Sequence, residues 1–159
     1  MSSMNGRPKA LETILIGGAL AGIGDGLDAV VYYNLASGVA PARLFQHIAS
    51  GLLGAKSFSG GLPTTLLGVV LHFTIAIGAA AVFYGACQAI PALWKYPWVS
   101  GPAYGLVVYA VMHYLVVPMS AVAPRKAPMS GMELVDQLFS HMFLVGLPIA
   151  LMARRSART

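Results

Sequence analysis

Hydrophobic and polar positions along this chain separate into long blocks, unlike the period-two alternation of a half-buried strand. No Asp, Glu, Lys or Arg occurs in residues 57–94 (38 positions), 96–124 (29) or 137–153 (17). Roughly 20 apolar residues cross a bilayer as a helix, so each block holds one span. A fourth apolar stretch, Leu11 to Leu35, is interrupted by Asp25 and Asp28. The pattern predicts an all-α fold, a four-helix transmembrane bundle with spans at about 11–35, 63–90, 98–117 and 131–153. The whole chain, 1–159, reads as one integral-membrane domain.

Residues 36–61 are too polar and broken to span. Within them, Leu44, Phe45, Ile48, Ala49, Leu52 and Leu53 fall on one helical face. Arg43, Gln46, His47 and Ser50 fall on the other, which predicts a short amphipathic interfacial helix at about 41–54. Pro41 suits its first turn, and Ser57 to Gly61 reads as a flexible turn. Trp94, Tyr96 and Trp98 beside Lys95 suggest an aromatic belt between spans two and three. Pro118, Pro124 and Pro128 make the next connection irregular. Ser130 and Glu133 have capping-box spacing at the start of span four, and Pro148 predicts a kink within it.

Small residues define packing faces. Gly18, Gly22 and Gly26 repeat every four residues in span one, and Gly101 and Gly105 do so in span three. Such stripes let another helix approach closely, without saying whether the partner lies in the same chain.

Composition agrees with the pattern: 57% hydrophobic, 9% charged and a mean hydropathy of +0.73. Soluble domains carry about 25% charge, so a soluble enzyme is excluded. The net charge of +5 is scattered, with no basic run and interleaved aromatics, so nucleic acid is not an expected partner. Cys87 is the only cysteine and reads as a small buried hydrophobe; no intramolecular disulfide or C-x-x-C-H haem attachment is possible. Arg7 and Lys9 precede the first apolar stretch, but its two aspartates and the lack of a small-x-small cleavage site make it a retained span. Four spans put both termini on one side with Arg7, Lys9, Lys95, Arg154, Arg155 and Arg158. Arg43, Lys56, Arg125 and Lys126 fall on the other side. The positive-inside rule, six to four, predicts cytoplasmic termini in a bacterial inner membrane.

The candidate chemistry lies in the intramembrane polar residues Asp25, Asp28, His72, His113 and His141. Ionisable groups in spans are costly and usually face the bundle interior. Counted from the outer helix ends at 1.5 Å per residue, Asp28 lies roughly 10 Å deep, His72 roughly 13 Å, His113 roughly 6 Å and His141 roughly 8–15 Å. All four spans thus contribute a titratable group to the outer leaflet. Three roles stay open: a His–Asp pair that locks helices together, a proton-titrating cluster, or metal or haem ligation by His72, His113 and His141. Met112, Met119, Met129, Met132 and Met142 lie towards the same end.

Enzyme motifs fail. Asp25-Gly26-Leu27-Asp28 has the D-x-x-D spacing of metal–diphosphate sites, but those need a second acidic cluster. No Asp or Glu occurs from residue 29 to residue 132, and Glu133 with Asp136 reads as the cap of span four, suited to the helix dipole. There is no H-E-x-x-H, P-loop or G-x-S-x-G, and Gly22-Ile23-Gly24 does not follow a strand.

From His72 onward the chain resembles the YagU-like family of small bacterial inner-membrane proteins. The resemblance rests on His72-Phe73, Gly78, Tyr84 and Pro91, then Gly101, Gly105, His113 and Pro118, then Glu133, His141 and Gly146, and covers about half the chain. The N-terminal half, with Asp25-Gly26-Leu27-Asp28 and the run from Pro41 to Gly51, resembles related uncharacterised proteobacterial membrane proteins. The resemblance implies no catalytic residues; the family name implies an association with survival in acid. The expected function is a non-enzymatic membrane protein, an accessory subunit or small helper, in a homo-oligomer or larger membrane complex. Its His/Asp layer fixes packing and responds to pH. The alternatives are a haem- or metal-binding membrane protein and a small oligomeric transporter or channel.

Overall fold

The computed structural model describes residues 6–125 and 128–157. Lys126 and Arg158 of the charge count lie outside them, as do the side chains of Arg7 and Lys9. Four helices are long and apolar enough to cross a membrane: Ala10–Ser37, Gly61–Ala89, Pro97–Met119 and Gly131–Ala157. They form an all-α bundle and are named here spans one to four. Exposed leucines, isoleucines and valines cover its outside, as in Leu35 and Val70. Such a surface suits hydrocarbon, and the chain is a multi-pass membrane protein.

Topology gives the bundle two ends. The loop end holds the connections after spans one and three; the terminal end holds both chain ends and the turn at Ile90–Tyr96. Span one packs between spans two and four, and span three packs on span four. The glycine stripes make these seams, and their partners lie within the chain. In span one, a Cβ on Gly18 would strike the backbone of Ile77, and one on Gly22 the ring of Phe73. A Cβ on Gly101 would stand 2.8 Å from Leu147 Cα, and one on Gly105 would collide with the His141 carbonyl.

At the terminal end the core is apolar. Ala80, Phe83, Cys87, Ile149, Ala150 and Ala153 are buried against one another. Trp94 packs against this cluster, while Tyr96 and Trp98 face outward, so the belt expected from all three aromatics is made by two.

The surface helix runs Pro41–Leu53 and departs from its expected pose. Gln46 and Ser50, assigned to the polar outer face, are buried, whereas Leu52 and Leu53 are exposed. The helix lies tight on span two, where a Cβ on Gly68 would strike the Phe45 carbonyl. This inversion costs little because the buried polar groups are bonded: Gln46 Nε2 donates to Gly61 O at 3.1 Å and Ser50 Oγ to His47 O at 2.6 Å. The expected flexible turn is largely a 3-10 helix, Gly54–Ser59; the sharp reversals fall at Gly54 (φ 58°) and Gly61 (φ 61°).

Two spans widen locally into π-helix, at Met112–Val116 in span three and Ser140–Gly146 in span four. Each segment ends two residues before a proline, Pro118 or Pro148. A prolyl ring donates no hydrogen bond and crowds the carbonyl four residues back, here Tyr114 or Leu144, and both lie inside the widened turns. Span three therefore continues through Pro118 to Met119 instead of stopping near Val117.

Candidate functional site

The spans diverge around one cavity of about 240 Å³ on the loop side of the apolar core. Spans two and three meet chiefly below it. There the Tyr104 hydroxyl donates to Ala79 O at 2.7 Å, and its ring lies 4.9 Å from Phe83. Asp25, His72, His113 and His141, one from each span, all line the cavity. The surface helix adds Ile48.

Each polar group is held by its own span or by a neighbour's backbone. His72 Nε2 donates to Gly22 O at 2.8 Å, across the seam where glycines let span two come close. His141 Nδ1 donates to Gln137 O at 2.9 Å, one turn back on span four. A carbonyl oxygen only accepts, so each of these nitrogens carries the hydrogen in the neutral ring. His72 Nδ1 and His141 Nε2 are then lone-pair acceptors with no hydrogen-bond partner among the described residues. The His113 ring stacks on Tyr109 at 5.4 Å and 14°, and the edge of His141 meets the same Tyr109 ring at 5.5 Å. Asp25 Oδ1 accepts from the buried Ser140 hydroxyl at 2.8 Å. Both π segments lie here, carrying His113 and His141; such widened turns often occur at functional sites.

Asp28 departs from the expected cluster. It sits one turn nearer the loop end than Asp25 and does not line the cavity; its carboxylate is within electrostatic reach of Asp136. Asp136 is the residue that the capping reading missed. It faces Asp28, Asp25 and Glu133, and its Oδ2 is buried without a hydrogen-bond partner among the described residues. Gln137 and Tyr109 also line the cavity and were not singled out. Their signal was available: Glu133, Asp136 or Gln137, and Ser140 recur at three- and four-residue spacing along one face of span four.

Glu133 is more than a cap. Its N–H donates to Ser130 Oγ at 3.1 Å, as the capping spacing predicts. Its carboxylate does not turn back to the Ser130 backbone. It accepts both Arg125 guanidinium bonds, at 2.7 and 2.8 Å, and the Tyr33 hydroxyl at 2.9 Å. A nearly buried carboxylate thus ties the connection after span three to spans one and four.

The geometry bears on metal and haem. Among the described residues no three His, Cys, Asp or Glu side chains stand close enough together to hold a metal ion. His72, His113 and His141 share a cavity without converging on an atom-sized centre. Asp136 near Asp25 and Asp28 supplies the second acidic position that the D-x-x-D spacing lacked in sequence, but these carboxylates do not converge either. What the cavity offers is one carboxylate, imidazole lone pairs and an aromatic face within apolar walls. No family model, curated protein or solved structure matches this chain.

Proposed function

We propose that this chain is a non-enzymatic accessory or helper protein of the bacterial inner membrane, with cytoplasmic termini, whose His/Asp cavity takes up protons and passes the change to helix packing. The supporting observation is that Asp25, His72, His113 and His141 come from four different spans to one cavity. Two of those imidazoles keep a free ring nitrogen. Histidine is the side chain whose ordinary titration falls between about pH 5 and 8, and a nearby carboxylate favours its charged form. Each proton added charges a ring whose other nitrogen already holds a backbone carbonyl. The charge is therefore felt at the seam between spans one and two and at the π turn of span four. The resemblance to the YagU-like family, with its association with acid survival, agrees with this reading.

The test is deuterium exchange at the imidazole C2 position, read by mass spectrometry on the full chain in mild detergent across pH 4 to 9. Exchange at His72 and His141 is expected to depend on pH, and Asp25→Asn to change both profiles. Flat profiles for all three cavity histidines over that range would sink the proposal.

A further inference from the structure

We infer that the cavity is a binding site for an organic monocation, an amine-type ammonium on an apolar or aromatic body, and that protons and this cation compete for it. The inference rests on the proton-uptake reading of the same cavity and adds the class of ligand.

Three observations choose the class. First, the lining presents acceptors to a donor ligand: the N–H groups of His72 and His141 are already given to Gly22 O and Gln137 O, which leaves their other ring nitrogens and the Asp25 carboxylate to accept. Second, negative charge is uncompensated. Asp25 has a single hydrogen-bond partner, the neutral Ser140 hydroxyl, and Asp28 and Asp136 stand nearby. No residue lining the cavity is Lys or Arg, and Arg125, one of the cations at the loop end, is bound to Glu133 by two hydrogen bonds. A half-buried carboxylate without a counter-charge favours a ligand that brings one. Third, the polar groups are too far apart to share an atom-sized ion. A polyatomic cation can place its charge at Asp25 while its body lies against Tyr109 and the apolar walls, where an aromatic face also attracts cations. A cavity of about 240 Å³ takes a ring with a short side chain.

Competition follows from the same layout. The groups facing Asp25 are Asp28 on its own span, His72 on span two, Tyr109 and His113 on span three, and Asp136 and His141 on span four. The surface helix contributes the uncharged Ile48. Protonating His72 or His141 puts positive charge into the cavity that Asp25 lines and repels a second cation.

Benzylammonium and its neutral analogue benzyl alcohol serve as probes, by calorimetry on the full chain in mild detergent. At pH 8 benzylammonium is expected to bind at least about tenfold more tightly than benzyl alcohol. Its affinity should fall at least about tenfold by pH 5, as protons compete for the cavity. Asp25→Asn should abolish the preference for the ammonium while leaving the alcohol unchanged. Equal binding of the two probes by the wild-type chain overturns the inference whether or not the variant folds. So does a pH-independent ammonium affinity, or a folded Asp25→Asn variant that keeps the preference. C2 exchange on the same samples separates the two proposals. Titrating histidines without ammonium preference sink only the cation, and ammonium preference with flat histidine profiles sinks only proton uptake.

Discussion

The two halves of the bundle are built on opposite rules from the same four helices. At the terminal end, regular α-helices meet through alanines, Phe83 and Cys87 in an apolar core, and a polar cleft between spans one and four lies beside it, lined by Glu12, Thr13, Arg155 and Ser156. At the loop end, two of the same helices widen into π turns, a cavity opens, and every histidine of the chain is found. Lipid surrounds both halves, so neither is forced by its surroundings. The difference teaches that the cavity is held open by rigid parts on either side. Beneath it lie the packed core and the Tyr104–Ala79 bond; above it lies the Arg125–Glu133–Tyr33 network.

The largest expected effect sets the halves directly against each other. Phe83 is 1% exposed, and Phe83→Ala deletes a ring from a filled site. In a bilayer the transfer part of that cost shrinks, since lipid tails are as apolar as the core, but the lost contacts remain. We expect a loss of about 2–3 kcal/mol, below the range for soluble cores. Met112 borders the existing void, so Met112→Ala forfeits fewer contacts and should cost about 1 kcal/mol or less. Unfolding titrations in SDS from mild detergent measure both. Equal costs would mean that the halves are packed alike and the contrast fails.

Much of this contrast was legible in the sequence. Long charge-free blocks marked spans two, three and four, because few structures other than a membrane helix tolerate them, and span one was read from its apolar stretch despite two aspartates. Depth counting put Asp28, His72, His113 and His141 in one leaflet, since rise along a helix is nearly fixed, whereas the residue of span one that lines the cavity is Asp25, one turn deeper. It could not supply the rotation of each helix, and so Asp28 was grouped with a cavity that it does not line. Asp136 was hidden by a sufficient explanation, because an acid near the start of a helix already has a reason to be there. Pro118 and Pro148 announced irregular helix, but only packing against neighbours decides between a break, a kink and a π turn. Two polar residues of the surface helix turned inward for a similar reason: amphipathicity ranks faces by polarity, while Gln46 and Ser50 found partners inside.

A smaller effect tests whether the loop end is as firmly tied as the terminal end. Arg125→Gln leaves Glu133, 7% exposed, with the Tyr33 hydroxyl and the Ser130 cap. The Arg125 side chain is 53% exposed, so solvent already weakens the pair, and the expected cost is about 1 kcal/mol. The more sensitive readout is local: proteolysis of the connection between Ser120 and Ser130 should quicken several-fold while the core unfolds almost as before. A double-mutant cycle with Glu133→Gln should return most of that cost as coupling. Unchanged proteolysis would mean that the network decorates the loop end without closing it.

The smallest effect separates the surface helix from the cavity beneath it. His47 lies outside the spans; partial burial first, then the Arg125 charge, holds its pKa below the ordinary histidine value of 6.5. The folded state therefore binds this proton less readily than the unfolded chain does. Its contribution to stability is complete above about pH 6.5 and is lost as the pH falls through the lowered folded value. His47 is partly exposed, which limits the loss to about 1 °C in Tm between pH 7 and 5. The difference between wild type and His47→Gln over that range isolates it, because the cavity histidines are common to both proteins. Arg125→Gln should shrink the difference by removing one of its two causes, whereas Asp25→Asn, acting below in the cavity, should leave it alone. If Asp25→Asn also erases the difference, the surface helix and the cavity titrate as one unit, and the boundary between the loop end and the rest of the bundle lies deeper than the packing implies.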